Sequence, residues 1–123
     1  MPAYNNATPP LSLFPGDVGF SFSAEAFPSA NTAGSQFALP EPSGLPDQSR
    51  AVRWQTIFGN NPSAINIRLQ GASADVDAEY TDLDTSTATA GEARTVSGVR
   101  VKFLRIKLFS ATGGSSLTAK MLP

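Results

Sequence analysis

The sequence predicts an all-β protein: a small antiparallel β-sandwich (jelly-roll-like) preceded by an extended N-terminal arm. Three observations carry this. Apolar and polar side chains alternate with a period of two from Arg50 onward. Turn signals separate the alternating runs at roughly 8–12-residue spacing. No segment shows apolar residues at helical spacing over eleven or more positions. The 123 residues have room for one domain, and a 41% hydrophobic content is enough for a core.

The arm, residues 1–49, is set apart by composition. It holds Asp17, Glu25, Glu41 and Asp47 but no Lys or Arg, for a net −4. Residues 50–123 hold nine basic and six acidic residues, for a net +3. Eight of the ten prolines (2, 9, 10, 15, 28, 40, 42 and 46) lie before residue 50. Proline fixes φ and removes an amide donor, so it breaks helices and stays out of central strands. The arm therefore reads as extended chain with short strands. Leu11, Leu13, Phe14, Phe20, Phe22, Phe27, Phe37 and Leu39 are too many apolar groups for a free tail.

The β-module, residues 50–123, opens with a strand at 50–57, with Val52 and Trp54 inward. Gly59-Asn60-Asn61-Pro62 is turn chemistry. At 63–70, Ile65, Ile67 and Leu69 face one side while Asn66, Arg68 and Gln70 face the other. Further strands are expected at 78–83, 92–96, 99–108 and 116–122, separated by Gly91, Gly98 and a Gly113-Gly114 hairpin turn. Thr85–Ala90 suits a strand edge or a tight loop equally. Tyr80 is open between a core position and a shallow loop surface shared with Phe58 at the strand end.

The segment 99–108 is the most informative. Val99, Val101 and Phe103 occupy odd positions, and Leu104, Ile106 and Leu108 even ones. A strand reverses its faces only through an extra residue, so a β-bulge is expected near Phe103-Leu104. All six apolar residues then point inward, and Arg100, Lys102, Arg105 and Lys107 line one outer face. Such a face is either solvated and answered by carboxylates of neighbouring strands, or aimed at an acidic protein partner. Nucleic acid is disfavoured, because the pI is about 5.2 and the strand's aromatic is assigned inward.

Several chemistries are excluded by composition. The chain has no Cys and no His, which removes disulfide scaffolds, thiol nucleophiles, zinc fingers and Ser-His-Asp arrangements. Asp75, Asp77, Glu79, Asp82 and Asp84 fall within ten residues, with the alternating oxygens of a calcium loop. The EF-hand pattern needs Gly where Tyr80 stands and Glu where Ser86 stands, so an acidic hairpin loop is expected, with a non-EF calcium site as the alternative. A glycosidase carboxylate pair needs a cleft that so small a sandwich does not offer. No nucleophile elbow or phosphate-binding glycine loop is present. The expectation is a non-enzyme with no catalytic residues, no metal and no cofactor.

The N-terminus lacks the basic region and unbroken apolar run of a secretory signal, and Asn6-Ala7-Thr8 is read as a chance match to a glycosylation acceptor. No run approaches the ~18 apolar residues of a membrane span.

Residues 54–59, 62–71, 83–92 and 101–105 (Trp54-Gln55-Thr56-Ile57-Phe58-Gly59; Pro62-Ser63-Ala64-Ile65-Asn66-Ile67-Arg68-Leu69-Gln70-Gly71; Leu83-Asp84-Thr85-Ser86-Thr87-Ala88-Thr89-Ala90-Gly91-Glu92; Val101-Lys102-Phe103-Leu104-Arg105) together resemble a small β-sandwich module of virion proteins of tailed bacteriophages. More distantly, the apolar-apolar-Arg ending of the basic strand is similar to discoidin-like carbohydrate-binding sandwiches. The chain departs from the module at 74–80, where Ala74-Asp75-Val76-Asp77-Ala78-Glu79-Tyr80 replaces an Asp-Gly followed by an aromatic, so no ligand site is carried over. The resemblance implies a structural virion protein, a capsid decoration (cement) protein on the capsid surface, made in the host cytoplasm. Its implied partners are the major capsid protein and neighbouring copies of itself, as a homotrimer. The candidate partner-binding residues are Leu11, Leu13, Phe14 and Phe20 on the arm, with Arg100, Lys102, Arg105 and Lys107. The alternatives are a receptor- or glycan-binding module of a tail or head fibre, or a tail or neck subunit.

Overall fold

The computed structural model describes residues 11–14, 16–39 and 50–123. The readings that fall on residues 1–10, 15 and 40–49, including seven of the eight arm prolines, Glu41, Asp47 and the Asn6–Thr8 pattern, lie outside the described residues.

Among the described residues ten strands form two sheets: β1 (Leu11–Ser12), β2 (Gly19–Glu25), β3 (Thr32–Ala33), β4 (Phe37–Ala38), β5 (Arg50–Asn60), β6 (Ala64–Ala72), β7 (Thr81–Ser86), β8 (Ala93–Val99), β9 (Phe103–Thr112) and β10 (Ser115–Leu122). A 3-10 turn, Asp77–Glu79, precedes β7. The six-stranded sheet runs β1-β4-β9-β6-β7, with β3 also pairing β9; the four-stranded sheet runs β2-β10-β5-β8. All pairings are antiparallel except β1 with β4. The fold is the expected all-β sandwich.

The core lies between the sheets and is built by the period-2 alternation. Val52 and Trp54 of β5, Ile65, Ile67 and Leu69 of β6, Leu104, Ile106 and Leu108 of β9, and Leu117, Ala119 and Met121 of β10 all point into it. The described part of the arm completes it. Leu13, Phe22, Phe37 and Leu39 belong to the same cluster, and β1 to β4 are wound into both sheets instead of standing apart from them. Ser21 stitches the layers together: its Oγ donates to the Ser35 carbonyl and accepts the Ile106 amide.

The 99–108 segment is not one strand. β8 ends at Val99 in the four-stranded sheet, and β9 begins at Phe103 in the other. Residues 100–102 carry the chain across, so the phase change marks a change of sheet and not a bulge at Phe103-Leu104. Phe103, expected inside, is half-buried with the parity of Arg105. Bulges do occur elsewhere. β9 carries one between Leu108 and Ser110, where it meets Asn66 and Ile67. β8 carries another opposite Arg50–Val52, where Gly98 takes φ +73°.

The Gly113-Gly114 pair is likewise not a hairpin. It turns the chain from β9 in one sheet to β10 in the other, with φ of +70° and +84°. The expected strand at 78–83 is displaced to β7 by the 3-10 turn. The Thr-rich run divides, with Thr85 and Ser86 in β7 and the rest in a loop clipped to β5. Thr56 and Glu92 exchange two bonds there: the Thr56 amide to the Glu92 carbonyl, and the Glu92 amide to Thr56 Oγ1.

Gly91 closes that loop at φ +79°, and a Cβ on it would lie 2.5 Å from the Thr56 carbonyl oxygen. Gly91→Ala combines left-handed strain with a backbone clash, and is expected to cost about 2 kcal/mol or more in urea unfolding.

Candidate functional site

The two lateral edges of the sandwich differ in chemistry. At one, β7 and β8 are clamped by a polar cluster. Trp54 Nε1 donates to Asp84 Oδ2 at 3.0 Å, and Arg94 reaches the same carboxylate through Nε and a terminal nitrogen at 2.7 and 3.1 Å. Trp54 and Arg94 belong to the four-stranded sheet and Asp84 to the other, so this carboxylate bridges the layers. Burial would raise the Asp84 pKa. The bonds from Arg94, Trp54 and the Thr85 amide, with the Arg94 charge, outweigh that and hold it below the usual carboxylate value.

At the other edge, β1 and β2 border the two sheets. Here Leu11, Phe14, Val18 and Phe20 are exposed, Leu11 at 74%. Leu13, expected among the partner-binding residues, is only 3% exposed. Its amide bonds the Ala38 carbonyl, and its side chain packs in the core. That is a correction: Leu13, held by its amide bond to Ala38 just past the end of β1, turns its side chain into the core, while Leu11 and Phe14 stay outside. The open side of β2 is partly capped, because the Ser21 carbonyl accepts the Ser35 amide and Glu25 Oε2 accepts the Ser23 amide. Such capping blunts strand-to-strand pairing.

The outer face of the six-stranded sheet is filled with its own partners. Arg105, expected on a surface basic stripe, is 2% exposed. Its parity is outward, opposite to Leu104 and Ile106, but residues 75–80 fold over it. Its Nε donates to Gln70 Oε1 at 2.8 Å, a terminal nitrogen donates to Asp77 at 2.7 Å, and the Tyr80 ring lies 4.1 Å from the guanidinium. Tyr80 is therefore buried and does not line a loop surface with Phe58; Phe58 stacks instead on Phe27. Beside Arg105, Arg68 pairs with Asp82 at 2.6 Å and lies over Phe109, as Lys107 does. Burial would raise the Asp82 pKa, but the Gln70 amide, the Arg68 bond and charge, and the Lys107 charge lower it on balance.

Arg100 and Lys102 sit in the crossover before β9, so the four cations do not share one strand face. The acidic stretch is answered by donors from within the chain: Asp75 by Tyr80 and Gln36, Asp77 by Arg105, Asp82 by Arg68 and Gln70, and Asp84 by Trp54 and Arg94.

The outer face of the four-stranded sheet was not singled out by sequence. Pairing aligns Phe20, Lys120, Gln55 and Ala93 in one row, Leu122, Arg53 and Thr95 in a second, and Thr118 with Ile57 in a third. Phe20 and Ile57 are exposed, and these positions carry two cations and no carboxylate. Alternation marks each residue as outward. Which outward residues become neighbours depends on strand order, which no local pattern contains.

These features define a two-sheet, mostly antiparallel β-sandwich. No protein family matches the sequence, and no curated protein matches it. Among solved structures the chain is similar to the SPBc2 prophage-derived protein YomS, at 9% identity and TM-score 0.53, covering 86% of this chain and 91% of that one. It is also similar to two cleaved adhesin domains of Lys-gingipain from Porphyromonas gingivalis W83. For the K1 domain the identity is 13%, the TM-score 0.54 and the coverage 86% and 72%. For the K3 domain the values are 14%, 0.55, 86% and 73%. At these identities the likeness is one of fold.

Proposed function

We propose that the protein is a structural component of a phage particle, a capsid decoration (cement) protein that docks on the head through its β1–β2 edge. It acts by binding, without catalysis, and its partners are a capsid protein and other copies of itself. The observation that carries this reading is the exposure of Leu11, Phe14, Val18 and Phe20 within one ten-residue stretch, beside a Leu13 that anchors the same stretch to the core. Apolar groups clustered on a soluble surface mark a contact site. The anchored backbone limits the entropy lost on docking. The shared fold with a prophage-derived protein supports the same setting.

Deleting residues 1–30 would remove β2 and with it Phe22, so substitution is the cleaner test. Leu11→Ser combined with Phe14→Ser is expected to weaken binding to empty heads of the phage at least about tenfold, since each buried side chain contributes roughly 1.5–3 kcal/mol. The melting temperature should be unchanged. Undiminished binding by a folded variant would reject the edge as the docking site.

The likeness in fold to the gingipain adhesin domains favours a second reading, a receptor- or glycan-binding module of a fibre. An array of host surface polysaccharides separates the two, because a decoration protein should leave it blank.

A further inference from the structure

The outer face of the four-stranded sheet has a counterpart on the opposite side of the same molecule. We infer that it receives the 74–79 loop of a second copy of this chain, so that copies associate head to tail. The inference builds on the proposed structural role; its face shares Phe20 with the proposed docking edge but does not include Leu11 or Phe14.

The face presents Phe20 and Ile57, both exposed, with Arg53 and Lys120 beside them. Among the described residues neither cation is seen in an ion pair. Four strands at about 4.8 Å spacing make the face only ~15 Å wide. A width of that order suits a protruding loop better than a broad surface.

The loop offers the complementary pattern. Val76 is 54% exposed, and the exposed carboxylates of Asp77 and Glu79 flank it. Its shape is set before any contact forms. The Val76 amide bonds the Ala74 carbonyl, the Glu79 amide bonds the Val76 carbonyl, and Asp77 spends one oxygen on Arg105 while its side chain stays 61% exposed. A loop ordered in this way loses little freedom on docking. An apolar tip with an acidic rim thus meets an apolar face with a basic rim.

The loop covers the outer side of one sheet and the receiving face is the outer side of the other. The contact is therefore heterologous, and it extends into a string or closes only as a wide ring, not as a two-fold dimer. Like charges would oppose one another if two copies of the receiving face met directly.

Sedimentation velocity of the full chain, across protein concentration and salt, tests this. The weight-average mass should rise past that of a dimer with concentration and fall as salt screens the rim charges. Arg53→Glu with Lys120→Glu should weaken association about tenfold or more, as should Glu79→Lys with Val76→Ser. These positions are at the surface, and circular dichroism should show both variants folded. The decisive arm combines Arg53→Glu, Lys120→Glu and Glu79→Lys in one chain, which should restore association because each altered surface then finds its complement. A mass that stays monomeric at all concentrations in low salt would overturn the inference, as would association indifferent to both charge reversals. Either failure leaves head binding by the β1–β2 edge to be judged by the Leu11 and Phe14 variant.

Discussion

Arg105→Ala is expected to cost about 3 kcal/mol in urea unfolding and to release the 73–80 segment. The guanidinium is the centre on which that segment is assembled. It donates to Gln70 Oε1 and Asp77, and supports the Tyr80 ring. Removing it strands the Gln70 acceptor in a site where Gln70 is only 4% exposed, at about 1–3 kcal/mol for an orphaned buried polar group. The emptied volume adds a cavity term. Asp77→Ala should cost much less, about 1 kcal/mol, because the Asp77 side chain is mostly in water and the pair is correspondingly screened. Arg105→Met should fall between the two, since it restores bulk beneath Tyr80 without the donors. Hydrogen exchange of residues 73–80 should accelerate in the same order. Equal costs for Arg105→Ala and Asp77→Ala would mean that the ion pair, and not the packed and hydrogen-bonded guanidinium, holds the segment down.

The second large effect is expected at the Trp54–Asp84–Arg94 clamp. Trp54→Ala should cost about 3–5 kcal/mol, in the range for emptying a large aromatic site, because Trp54 is almost wholly buried. Trp54→Phe keeps most of the volume but removes the donor to Asp84, and should cost about 1–2 kcal/mol. The clamp also predicts the acid response. The Asp84 carboxyl titrates below its usual value in the folded chain, so the folded state favours the ionised form. That stabilisation is present above the unfolded-state pKa and is lost as pH falls through the lower, folded-state value. Unfolding midpoints should therefore drop on acidification below about pH 4. Asp84→Asn should flatten that dependence while lowering stability at neutral pH. Asp82 acts in the same direction, with a smaller share because it is more exposed. A variant with an unchanged acid slope would show that Asp84 is not a main contributor.

Much of this fold is legible in the sequence because side-chain alternation is a local property of extended chain. Val52, Trp54, Ile65, Ile67 and Leu69 were placed inside from spacing alone, and they are inside. The alternating odd and even positions of 99–108 were a true signal, but the local pattern could not distinguish a bulge within one strand from a passage between two sheets. Both reverse parity. Which of them occurs depends on where β5 and β6 lie, many residues away. The two glycines at 113–114 pose the same ambiguity, since left-handed φ serves a hairpin and a corner alike.

The surface was less legible for a related reason. Parity correctly turned Arg105 away from the core, but whether an outward side chain meets water depends on what folds across it. Here it is the 75–80 segment, whose own composition had suggested an acidic loop and nothing beneath it. Leu13 shows the converse: in a proline-rich arm it looked available to a partner, and the pairing of β1 with β4 delivered it to the core.

The sequence by itself determined that this protein is a β-sandwich without histidine or cysteine chemistry, because alternation and composition need no partner to be read. Only the tertiary structure decided which strands share a sheet, and hence that the described part of the arm, β1 to β4, is wound into the sandwich. It also decided that one outer face is satisfied by its own charges, while on the other, among the described residues, Arg53 and Lys120 are seen in no ion pair. Those outcomes are set by contacts between residues far apart in the chain, and such contacts leave no local periodicity to read.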